Sequence, residues 1–320
     1  MKDLLRAGCE LLADNKEAIH KNFAWNMEMM SVAGSVIFTS AGKVADIERM
    51  KDCKSILKKQ EGLFSSFRSN MEIPVISKMA LEKDPEEYLM RLVAIYNKLS
   101  KGKIFGSEHI AMTALAICDE NMWDDVDIIV ERTKELMKRM SATHPMLTSA
   151  EDTTLAALLS MTNKSIDEIV QETEYCYDVM KRKFTFHNNS VQSLSHILTL
   201  CPGDPEQKCA RARAIYDALV VKGIKYGLDY ELASLGALVS VDMTPEELAD
   251  EIAEAAAYLK TRKGFGDWSM GSKARVMYAA LMAVQAYAPN SLAMDASVLG
   301  SSLAMVIAQE VCFMVIMMSV

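Results

Sequence analysis

The chain reads as an all-α protein built from tandem helix pairs, and three observations predict that class. Short apolar stretches rich in small residues return at an interval of about 40 residues, a length typical of helix-pair repeats. Between them, a capping residue followed by acids returns at the same interval, which marks repeated helix starts. Half of the 320 residues are hydrophobic while only 14 Gly and 7 Pro interrupt them, so a large core is available and strands or linkers have little room.

The apolar stretches form the first helix of each pair. In chain order they are Ala33-Gly34-Ser35-Val36-Ile37, Ile76-Ser77-Lys78-Met79-Ala80, Ala114-Leu115-Ala116-Ile117 and Leu155-Ala156-Ala157-Leu158-Leu159. Leu194-Ser195-His196-Ile197-Leu198, Leu235-Gly236-Ala237-Leu238-Val239 and Tyr278-Ala279-Ala280-Leu281-Met282 complete the series. Small residues let helix backbones approach closely, so these helices are expected to form a crowded inner layer.

The second helices announce themselves at both ends. Asp84-Pro85-Glu86-Glu87, Ser165-Ile166-Asp167-Glu168, Asp204-Pro205-Glu206-Gln207 and Thr244-Pro245-Glu246-Glu247 each begin with a capping side chain. Pro at the first helical position and carboxylates in the first turn suit the N-terminal end of the dipole. Lys181-Arg182-Lys183 and Lys260, Arg262, Lys263 then gather at helix ends, which is helix-end electrostatics and not a binding patch. The repeats fall at about 23–62, 63–103, 104–145, 146–184, 185–224, 225–264 and 265–320 of one continuous domain. The expected geometry is an open α-solenoid, with a closed α/α toroid as the alternative.

Charge and cysteine usage exclude several functions. A net charge of −8, with basic residues dispersed among more numerous acids, argues against a nucleic-acid partner. The 7 Cys residues form no Cys-x-x-Cys pair, so reduced, buried thiols are expected rather than disulfides or a metal site. Met1 to Lys16 has mixed charge and lacks the apolar centre of a signal peptide, so a cytoplasmic location is expected.

Motifs for catalysis are weak. Asp124-Asp125-Val126-Asp127 lies where a second helix begins, and dipole-compensating carboxylates explain it. His196 sits inside an apolar stretch and reads as a satisfied core histidine. A phosphate loop, a His-Glu-x-x-His and a Gly-x-Ser-x-Gly are all missing. No cofactor and no metal are expected.

Two regions are unusual in composition. The loop ahead of each inner helix pairs aromatic rings with polar groups, and stacking would bring these loops onto one edge. From it come the candidate binding residues Phe67, Arg68, Asn70, Glu108, His109, Glu151, Asp152, His187, Asn188, Asp229, Tyr230, Asp267 and Trp268. Their chemical differences from copy to copy exceed what a hydrophobic staple or an N-cap requires, and solenoids carry binding residues on such a face. The second region is the apolar stretch from Ser297 to Val320. Gln309 and Glu310 near its middle make burial or homo-oligomer contact the expectation over a membrane span.

Leu-Ser-His-Ile-Leu at 194 to 198, Lys225-Tyr226-Gly227 before Tyr230-Glu231-Leu232-Ala233, and Gly264-Phe265-Gly266-Asp267-Trp268-Ser269 together resemble a bacterial family. It is the domain-of-unknown-function family numbered four thousand and three, similar from about Phe23 onward. The resemblance implies a bacterial cytoplasmic protein and no assigned reaction, cofactor or catalytic residue. The leading expectation is a non-catalytic binding module for a protein or peptide. An α/α-toroid enzyme acting through loop carboxylates on a sugar or isoprenoid, or a protein that self-assembles or meets a membrane through its last helix, are the alternatives.

Overall fold

A computed structural model of the chain describes residues 1–23, 28–59, 67, 71–101, 107–119, 122, 124–149 and 152–288, without the side chains of 28, 29, 107 and 108. Every regular element among them is helical. Seven outer helices, α1 (Asp3–Asn22), α3 (Ile47–Lys59), α5 (Pro85–Ser100), α7 (Val126–Thr143), α9 (Ile166–Met180), α11 (Pro205–Val221) and α13 (Pro245–Lys260), alternate with inner ones. The inner helices are α2 (Glu28–Ser40), α4 (Glu72–Leu81), α6 (Ser107–Asp119), α8 (Thr153–Ser160), α10 (Asn188–Leu200), α12 (Ala233–Ala237) and α14 (Ser272–Tyr287). Short 3₁₀ turns, Tyr230–Leu232 and Leu238–Ser240, extend α12 at both ends.

The outer helices form where the sequence signals them. Asp84 accepts from the backbone N–H groups of Glu86 and Glu87, and Asp204 from that of Gln207. Ser165 with Glu168, and Thr244 with Glu247, close reciprocal capping boxes. Each outer helix then buries one stripe, as α13 does with Leu248, Ile252, Ala255 and Leu259, the spacing of a single helical face.

Inner helices are buried nearly all round. In α8 every residue from Thr153 to Ser160 is buried, and in α14 every residue from Ala274 to Val284. Small side chains make that crowding possible. A Cβ at Gly34 would lie 2.7 Å from Ile73 Cγ2, and one at Gly236 would lie 2.9 Å from Ile197 Cγ2, distances at which carbon atoms repel strongly.

Outer helices α1, α3, α5, α7, α9 and α13 pack most closely against the inner helix that follows, whereas α11 packs most closely against α13. The described connections carry buried rings, Phe67, Phe184, Tyr226 and Phe265, and two of them reach the next outer helix, Phe67 on Tyr96 of α5 and Phe184 on Tyr216 of α11.

The row does not stay open. Successive outer helices pack from α1 to α13, and α1 then packs against both α13 and α14. Lys2 N donates to Glu251 Oε2 at 2.9 Å, Lys263 Nζ donates to Glu17 at 3.1 Å, and Gln285 Nε2 donates to the Thr39 carbonyl at 2.7 Å. Arg262 pairs with Asp14, and the Met1 ammonium pairs with Glu254. This is the closed α/α arrangement rather than the open solenoid. The physical reason is that α1 offers buried Leu5, Cys9 and Leu12, an apolar stripe that the last hairpin covers.

On the edge where inner helices end, their free carbonyls are clamped by cations from outer helices. Arg132 donates to the carbonyls of Ser160 at 2.8 Å and Lys164 at 2.6 Å. Arg211 donates to Val239 at 3.0 Å, to Met243 at 2.7 Å and to Val241. Arg49 reaches Ala80, Glu82 and Lys83 in the same manner. At α10 the clamp is inverted: Lys164 and Lys208 donate to Thr199 and Cys201, each at 2.7 Å, and both ammonium groups rest on Glu172. Four C-terminal carbonyls per helix lack an internal partner, and a cation there also meets the negative end of the dipole.

The six described cysteines, Cys9, Cys53, Cys118, Cys176, Cys201 and Cys209, are buried and unbridged. Among the described residues, no helix is long and apolar enough to cross a membrane. The stretch from Ser297 to Val320 lies outside them.

Candidate functional site

The opposite edge of the row carries the connections from each outer helix to the next inner one. In the α9–α10 connection, Phe184 is buried edge-on against Tyr216, with ring centroids 4.9 Å apart. Two residues on, Phe186 is 98% exposed and holds a left-handed φ of 69°, a conformation that a bulky side chain seldom adopts. In the α13–α14 connection Phe265 is fully buried while Trp268 is fully exposed. In the α7–α8 connection Met146 is 94% exposed, and Val221 at the end of α11 is 84% exposed. These are the four most exposed large apolar side chains among the described residues, and all lie on this edge.

Charged groups stand between them. Asp229 lies 3.8 Å from His187 Nδ1 and 3.5 Å from Lys273 Nζ, so the connections ahead of α10 and α12 and the first turn of α14 meet at one carboxylate. Asp267 lies 2.8 Å from both Lys260 and Arg275, and these bonds hold its carboxyl below the usual range, with Lys260 the larger influence. Tyr230 is half-buried, and its phenol is pushed up to about 12 by burial and by Glu231.

Buried polar groups under this edge lack partners. Glu231 is 2% exposed, its Oε2 accepts no hydrogen bond, and burial raises its carboxyl. Gly227 leaves room for that carboxylate, because any Cβ there would collide with it. His196 is fully buried with neither ring nitrogen hydrogen-bonded, which corrects the expectation of a satisfied histidine. Burial, with a smaller contribution from His144, lowers it to about 3, so the ring is neutral. A cavity of about 10 Å³ lies against it, the size of one solvent molecule. Gln192, His144 and Glu174 line the same cavity, and His144 Nε2 is 2.8 Å from Glu174.

The remaining candidates scatter. Phe67 is fully buried with its ring centroid 5.0 Å from that of Tyr96, which makes it a packing residue instead of a surface one. Asp152 is buried too: its Oδ2 accepts from the Ser149 N–H at 2.8 Å, and its Oδ1 is 3.9 Å from His196. His109 is half-buried in the first turn of α6, and Asn188 is exposed as the first residue of α10. Arg68, Asn70 and Glu151 lie outside the described residues, as does the Glu108 side chain. Asp127, in the aspartate run, pairs with Lys98 at 2.8 Å. Among the described residues no group of three His, Cys, Asp or Glu is placed to hold a metal.

Sequence reasoning left Glu231, Lys273, Arg275, Met146 and Phe186 out of the candidate residues, although it placed Phe186 at the head of its loop. Only Phe186 carried a signal, as a second aromatic two residues after Phe184, where one staple is enough.

A family model described as a protein of unknown function, DUF4003, matches residues 15–311. No curated protein and no solved structure matches the chain.

Proposed function

Because the chain belongs to the DUF4003 family, whose description names no activity, we propose from its geometry that it is a non-catalytic binding module for a protein or peptide. The partner contacts the loop edge. The observation that carries this reading is the clustering of Met146, Phe186, Val221 and Trp268 on that edge. Apolar side chains exposed singly need no explanation, but the four most exposed ones on one edge of a repeat support a contact surface there. Asp229, Lys273 and His187 supply a polar rim of both signs, the usual surround of aromatic anchors. The reading needs no cofactor, and a cytoplasmic location is part of the proposal.

A photo-crosslinking residue at position 186 in the native host tests it. One defined partner should be captured, and capture should be lost when Trp268→Ser and Met146→Ser are added. Ile128→Ser, at an exposed site on the other edge, should leave capture intact. Equal capture by all three proteins overturns the proposal.

A further inference from the structure

Beside the loop edge, an open cavity of about 310 Å³ lies between the end of α11, the middle of α13 and the start of α14. Its floor is aliphatic, from Ile224, Ala253, Ala256 and Val276, and its polar lining includes Lys225, Lys260 and Arg275. Three cations here share one nearby acid: Asp267 pairs with Lys260 and Arg275, while Lys225 pairs with no acid among the described residues. Arg275 is 6% exposed. Its Nη atoms bond the Phe265 carbonyl and Asp267, yet its buried Nε has no hydrogen-bond partner. Ser272, the first residue of α14, also lines the cavity, and no side chain caps that helix. Gly271 in front of it has a φ of 81°, a conformation that suits glycine and brings no capping oxygen.

An unpaired guanidinium N–H, surplus lysine charge and a free helix N-terminus all favour an anion. The aliphatic floor favours a ligand whose other end is hydrocarbon, and the volume is at the lower end of small-ligand sites. We propose that this cavity binds a small aliphatic carboxylate, with the carboxylate between Arg275 Nε, Lys225 and the α14 N-terminus and the alkyl body on Ala253 and Ala256. Such a group comes from a free acid or from the C-terminal residue of a peptide. The inference stands apart from the loop-edge reading, since it rests on the cavity alone.

Calorimetry on the full chain with four probes tests it: 4-methylpentanoate, its amide, and an N-acetylated peptide ending in leucine with a free or an amidated C-terminus. At least one free carboxylate should bind saturably, and at least tenfold more tightly than its amide, a factor of about ten per lost charge-assisted bond. Binding by the free acid alone identifies a metabolite site, and binding by the peptide acid alone identifies a C-terminus reader. Lys225→Gln should weaken binding about tenfold. Ala257→Phe, at an exposed lining residue, should abolish it, both with unchanged thermal unfolding. Equal binding of acid and amide, binding indifferent to both substitutions, or no binding of any probe at millimolar concentration overturns the proposal.

Discussion

The two edges of the closed row are made from the same helices and treat their polar groups in opposite ways. Where inner helices end, carbonyls meet Arg49, Arg132, Arg211, Lys164 or Lys208, and the acid Glu172 sits between two cations. Towards the other edge, Glu231 Oε2, both ring nitrogens of His196 and the Nε of Arg275 are buried without hydrogen-bond partners, and Phe186 and Trp268 face solvent. A buried polar atom without a partner costs free energy, as does an apolar ring in water. The first edge holds the fold together, and the second carries groups that destabilise the free protein and suit contact with something else.

Neutralising Glu172 should give the largest effect. Glu172→Gln strands Lys208, which is 5% exposed, and should lower stability by about 3 kcal/mol, the scale for breaking a buried ion pair. Chemical denaturation measures it, and Lys208→Met in the same chain should return part of the loss. An unchanged midpoint would show that the clamp edge does not stabilise.

Arg211→Ala removes three bonds to the end of the α12 segment and should cost about 2 kcal/mol. Amide exchange should show the loss concentrated between Val239 and Met243. Uniform exchange along the chain would contradict a local clamp.

The loop edge should respond with the opposite sign. Glu231→Gln removes a buried carboxylate that lacks a full set of partners and should raise stability at neutral pH by about 1 kcal/mol. Because burial raises its folded carboxyl, the gain should shrink as pH falls towards the ordinary carboxylate range. A destabilised variant at pH 7 would place this acid with the clamps.

His196 contributes through its neutral form. Its folded value of about 3 lies below the ordinary 6.5, so the unfolded chain binds the extra proton between them. Stability should therefore fall as pH drops through 6.5, by up to about 1.4 kcal/mol per unit. His196→Met should flatten that limb of a stability-against-pH curve. An identical slope in both proteins would assign the acid sensitivity elsewhere.

The smallest effect belongs to the exposed rings. Phe186→Ser and Trp268→Ser should leave the thermal midpoint unchanged, since neither ring is packed, while partner capture is lost. A lowered midpoint would make these rings part of the fold.

Much of the helical frame was legible because its causes are local. The caps at Asp84, Ser165, Asp204 and Thr244 and the carboxylates behind them lie within one turn of each other, so short windows of sequence contain both partners. The inner stretches were legible because small and apolar residues in continuous runs suit helices buried all round. The arginine clamps were hidden. Their acceptors are backbone carbonyls, which every residue has, so nothing in the residue types near Val239 or Ser160 marks the target of Arg211 or Arg132. The candidate edge was half legible: its loops were found, but Phe67 and Phe265 turned inward and Phe186 and Trp268 outward. Composition treats these rings alike, and only the path of the backbone, including the left-handed Phe186, separates them.

By itself the sequence determined helices, their caps and their repeat, because periodicity and capping act over a few residues. Tertiary structure alone decided that the row closes, since closure depends on pairs such as Arg262 with Asp14 and Gln285 with Thr39, which lie far apart along the chain. It decided also which polar groups went unpaired. Partners at that distance are chosen by how the whole row curves, a sum over all seven hairpins that no short stretch of sequence contains.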